Sequence, residues 1–149
     1  MTEIAFYHLE KSSLEFALPK LLEKVLEMGK RALVIDESQA RIELLASALW
    51  TYNSGSWLPH GTSKDGYAEE QPVWLSSEDS NPNDATFLFL LNGITSERVS
   101  DFERCFVLFD GTDPAMVDIA RTHWTDYQKS GHNVTYWQQN TSGAWEKRG

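Results

Sequence analysis

The sequence predicts an α/β fold: one three-layer α/β/α domain on a mainly parallel sheet, with a hairpin-like C-terminal tail. Three observations carry this. Short apolar runs alternate with segments of helical periodicity, as successive βα units require. The runs around Leu33-Val34 and Phe89-Leu90 are nearly continuous, as in strands covered on both faces. The 149 residues suit a single domain, 1–149, which at this size buries roughly 68–70% of the surface of its unfolded chain.

The elements follow in order. Ile4 to Leu9 reads as a first strand. Ser12 or Ser13 caps a helix carrying Leu14, Leu18, Leu21, Leu22, Val25 and Leu26 at helical spacing. Pro19 interrupts it, and because Pro suits a first turn better than an interior, the regular helix is expected to begin there. Gly29 marks its end. Lys30 to Ile35 is a buried strand. A second helix spans Ser38 to Trp50, with Ile42, Leu45 and Leu49 inward. The stretch from Thr51 to Pro72 is largely irregular, Val73 to Leu75 a short strand, and Asn81-Pro82-Asn83 a turn. Thr86 to Leu91 and Cys105 to Phe109 are strands, with a short helix expected over Thr95 to Phe102. Asp113-Pro114 opens the last long helix, which runs to about Ser130 and stops before Gly131. Val134 to Lys147 forms two short strands around Ser142-Gly143.

Composition narrows the function classes. The 41% of hydrophobic residues supports a globular core, and no run of about 18 apolar residues predicts a membrane helix. Met1-Thr2-Glu3-Ile4 has no basic region before an apolar stretch, so no secretory signal is expected. The lone Cys105 excludes an internal disulfide and fits a reducing cytoplasm. The formal charge is −9. Residues 51–110 hold three Lys/Arg against ten Asp/Glu, whereas residues 111–149 hold four of each. Strong direct nucleic-acid binding, which needs a basic face, is not expected.

Catalytic and cofactor signatures are missing. His8-Leu9-Glu10-Lys11-Ser12-Ser13 follows the first strand without a glycine, so there is no dinucleotide fingerprint. Gly61 and Gly66 have phosphate-loop spacing, but Tyr67 and Ala68 stand where Lys and Ser/Thr are needed. Asp36 and Glu37 occupy the place of a ribose-binding acid, and are read as solvated turn residues. His8, His60, His123 and His132 are too scattered for a metal set. Cys105 reads as an inert buried thiol. Asp110-Gly111-Thr112-Asp113 resembles an acidic metal loop, but reads better as a turn with Asp113 capping a helix. The expectation is a protein without catalytic residues, cofactor or metal; a small α/β nucleotide-binding enzyme is the alternative.

Two places suit protein contacts. Trp50 closes a helix and Trp57 stands at a loop exit, positions that are hard to bury fully and that suit aromatic anchors. In the last helix Met116, Ala120, His123 and Tyr127 share the face toward the sheet. Val117 and Trp124 lie at its edge, with Arg121 just beyond. An apolar rim beside a guanidinium suits a peptide end, the Arg pairing with the carboxylate. From these residues alone, Trp124 as core and Arg121 as a solvated residue is the commoner arrangement, since amphipathic helices have such edges routinely.

The chain resembles the chi subunit of bacterial DNA polymerase III over nearly its whole length. The likeness rests on Ala5-Phe6-Tyr7-His8-Leu9, Gly29-Lys30-Arg31-Ala32-Leu33-Val34, Ala48-Leu49-Trp50, Ser56-Trp57-Leu58-Pro59-His60, Gln71-Pro72-Val73, Phe109-Asp110-Gly111, and Ala120-Arg121 through Tyr127. The order and spacing of these blocks together are specific. The resemblance implies a non-catalytic replication protein that binds the acidic C-terminal tail of single-stranded-DNA-binding protein. It places the tail-contacting arginine on Arg121 and its neighbouring aromatic on Trp124; with the helix reading, Val117 and Trp124 are expected to line the pocket. It places the aromatics that meet the clamp loader's psi subunit on Trp50 and Trp57. Val117 and Thr125 stand where better-known members carry lysines.

Overall fold

Strand β1 (Glu3–Leu9) leads into helix α1 (Leu14–Glu27), strand β2 (Ala32–Ile35) and helix α2 (Gln39–Thr51). Strands β3 (Val73–Ser76), β4 (Phe87–Leu91) and β5 (Arg104–Asp110) follow, then helix α3 (Pro114–Lys129) and strands β6 (Asn133–Gln139) and β7 (Trp145–Lys147). The structure is a computed structural model and describes residues 2–10, 13–51 and 60–148, leaving aside the side chains of Trp50 and Thr51. One sheet takes all seven strands in the order β3-β2-β4-β5-β1-β6-β7. Every pairing is parallel except β6 with β7.

Side chains alternate across the sheet, and each face buries its own core. Leu9, Val34, Leu75, Phe89 and Leu108 pack under α1 and α2. Ile4, Phe6, Leu33, Leu88, Val107 and Phe109 pack toward α3. The layers are therefore α/β/α, as the sequence predicts. On the α1/α2 face, Ala5, Tyr7, Phe106, Thr135 and Trp137 line a depression of about 210 Å³.

The glycine stop signals act as expected. After α1, Gly29 takes φ 73°. Gly29 N–H donates to the Leu26 carbonyl and Lys30 N–H to that of Val25, the paired closure of a Schellman motif. Lys30 is thereby spent on ending α1, and β2 begins at Ala32 rather than Lys30.

Two expectations fail. The helix does not wait for Pro19 but begins at Leu14. Pro19 then denies one N–H to the Glu15 carbonyl, but Glu15 is exposed to water. The buried stripe of Ala17, Leu18, Leu21, Leu22 and Val25 offsets that loss. Ser13 holds the cap position without a side-chain bond, its carbonyl accepting from Ala17 N–H. Between β4 and β5 the expected helix shrinks to one 3₁₀ turn, Val99–Asp101. Asp79 claims the preceding residues: its carboxylate accepts from the Ser96 hydroxyl and Glu97 N–H, and its carbonyl accepts from Arg98 Nε. Those bonds hold Ser96 to Arg98 out of helical pairing.

Candidate functional site

Helix α3 is fixed at both ends by its own sequence. The Asp113 carboxylate accepts from Ala115 N–H at 3.0 Å, with Pro114 in the first turn. At the far end Gly131 takes φ 87°, and His132 N–H returns to the Tyr127 carbonyl. Ala120 is buried against the sheet, with Met116, Val117, Trp124 and Tyr127 half-buried around it. His123 shares that side, and burial holds its imidazole below the usual range, with Asp126 opposing.

Trp124 packs deeper than an edge position requires. Its ring meets Phe6 edge-on at 5.5 Å and Tyr136 at 5.7 Å. Phe6 and Tyr136 lie nearly parallel at 6.5 Å. One aromatic each from β1, α3 and β6 thus packs into a continuous apolar floor, with Phe6 itself fully buried beneath the half-buried Trp124 and Tyr136. Beside it, Arg121 leaves 76% of its side chain exposed, and its ion-pair contact is with Asp118, 4.0 Å away and 79% exposed. Such a surface pair binds weakly, so the guanidinium is available to an incoming anion.

Beneath the rim lies a polar chain. The Tyr136 hydroxyl is 2.6 Å from His8 Nδ1. His8 Nε2 is 2.9 Å from Glu10 Oε1, close enough for an ionic contact but too far off the N–H direction for a hydrogen bond. Gln138 Nε2 donates to the same Glu10 oxygen at 3.1 Å. Burial pushes the Tyr136 phenol up, the Arg121 charge pulls it down, and Glu10 adds to the rise. Gly111 lies so close to His8 that any Cβ there would enter the imidazole ring.

Val117, Arg121 and Trp124 share one side of α3, as their spacing requires. Trp50 lies in the last turn of α2, where its backbone alone is described. Trp57 lies outside the described residues. Sequence reasoning missed Phe6, His8 and Tyr136 as parts of this site. The alternation of Val134, Tyr136 and Gln138 was the available signal, but the pairing of β6 with β1 is not written locally in either segment.

The crevice at the strands' carboxyl ends, where parallel sheets often bind ligands, is tied to itself. Asp36 is not a solvated turn residue: it is fully buried. Its oxygens accept from Glu37 N–H, Arg41 Nε and Asn92 Nδ2. Arg41 belongs to α2 and Asn92 follows β4, so Asp36, just after β2, ties the three together. Cys105 is 1% exposed, and burial raises its thiol far above the usual range. Among the described residues, no three His, Cys, Asp or Glu side chains gather to hold a metal ion, and no helix is long and apolar enough to cross a membrane.

Fold and rim together define a single-domain α/β protein with a candidate surface for a polypeptide end. A family model described as DNA polymerase III chi subunit, HolC, matches residues 1–135. The chain belongs to that family, and so to the proteins of DNA replication. It is also similar to a probable DNA polymerase III subunit chi from Rickettsia prowazekii (strain Madrid E), at 23% identity over 99% of this chain and 92% of the relative.

Proposed function

We propose that this chain is a non-catalytic adaptor of the DNA polymerase III holoenzyme, linking the clamp loader to single-stranded-DNA-binding protein in the cytoplasm. Arg121 pairs with the terminal carboxylate of that protein's acidic tail. Trp124 and Val117 receive the tail's last apolar side chain. Trp50 and Trp57 anchor the clamp loader's psi subunit or its equivalent. The observation that supports this best is a guanidinium with only a weak, exposed partner beside the half-buried rings of Trp124 and Tyr136. That combination suits an apolar residue bearing a free carboxylate.

A labelled-peptide titration tests the reading. Removing one side of a charge pair costs about 2–5 kcal/mol when the pair is buried. Part of that is lost at an exposed rim, so Arg121→Ala is expected to weaken tail binding at least roughly tenfold, about 1.4 kcal/mol. Amidating the peptide's terminus should weaken binding likewise, and added salt should screen it. Equal affinity for wild type and Arg121→Ala rules out this role for Arg121.

A further inference from the structure

We infer that Tyr136 and His8 are part of the tail site, with Tyr136 donating a hydrogen bond to the peptide's terminal carboxylate once His8 is protonated. This rests on the reading of the Arg121 rim as the place where the tail docks.

The argument is a proton count. A neutral imidazole carries one N–H. The Glu10 carboxylate, 2.9 Å from Nε2, favours the proton on that nitrogen, which leaves Nδ1 bare. At 2.6 Å the Tyr136 hydroxyl must then be the donor and Nδ1 the acceptor. The phenol's single proton is committed inward, and it offers an approaching carboxylate only lone pairs. When His8 gains its second proton, Nδ1–H becomes the donor and the Tyr136 oxygen the acceptor. The phenolic O–H is released from the imidazole and is free to turn to another acceptor within the field of Arg121. No covalent bond changes; one proton binds and one hydrogen bond reverses direction.

The surroundings permit this. His8 is faced along β1 by Glu10, which Gln138 of β6 holds in place. From the end of β5 it is faced by Asp110, whose carboxyl is lowered chiefly by its bonds to Thr112 and also by the charge of His8. The Phe109 ring lies 5.3 Å away and Gly111 lies against the imidazole. Arg121 acts from α3 through Tyr136. Two carboxylates and one guanidinium thus surround the imidazole. A bound tail carboxylate adds a third negative charge, so binding and protonation assist each other. Imidazoles change charge between about pH 5 and 8, whereas a peptide's terminal carboxyl titrates near 3.5 and stays ionised throughout.

The test uses a synthetic acidic peptide with an apolar last residue and a free carboxylate. In wild type, affinity should rise roughly fivefold from about pH 8 to 6, the size of one net hydrogen bond. Calorimetry in two buffers of different ionisation enthalpy should show proton uptake on binding. Tyr136→Phe, which keeps the ring, and His8→Gln should both flatten the pH profile, while His123→Gln keeps it. An unchanged slope in Tyr136→Phe, or no slope in wild type, overturns the inference and leaves the tail reading standing. If the peptide binds at no pH, both fall.

Discussion

Asp36 is a buried carboxylate on which donors from three other residues converge. Asp36→Ala should therefore cost about 2–4 kcal/mol, since Asn92 loses its partner and Arg41 its counter-charge. Asp36→Asn should cost less. Urea unfolding of the three proteins measures the difference. Local sequence could not reveal this role, because Asn92 lies 56 residues further on. Tyr136 and His8 escaped notice for the same reason, being 128 residues apart. Arg121 and Trp124 were legible because their relation is helical and local. His123 carries a pH consequence. Burial depresses its protonation in the folded chain, so below about pH 6.5 the unfolded chain binds more protons. Stability then falls as pH falls through that window. His123→Gln should lose less stability than wild type between about pH 7 and 5, as read from urea midpoints.

Helices are the elements the sequence announced most clearly. Asp113, Pro114 and Gly131 bracket α3 where the capping rules put them. Asp113→Ala should lower stability by about 1 kcal/mol, visible as a shift in thermal midpoint. The same change should leave tail affinity nearly intact, because Arg121 and Trp124 sit beyond the first turn. The elements misread were those governed by contacts with other segments. Pro19 was weighed as a local helix breaker, but a buried apolar face decided the outcome. Ser96 to Arg98 looked helical until Asp79, from another loop, took their hydrogen bonds.

For the molecule as a whole, the charge of −9 sets the long-range field. Single-stranded oligonucleotides should show no retardation in a gel shift at low salt, since nothing offsets phosphate repulsion at a distance. The layered class and the antiparallel tail were both readable from periodicity. The strand order was not, because each parallel neighbour is reached only after a crossover. That order has a further effect. The opening strand β1 lies between β5 and β6, so the floor joining Phe6 to Tyr136 exists only after β6 has docked. Synthesis must therefore pass β6, Asn133–Gln139, before the opening strand can complete this packing.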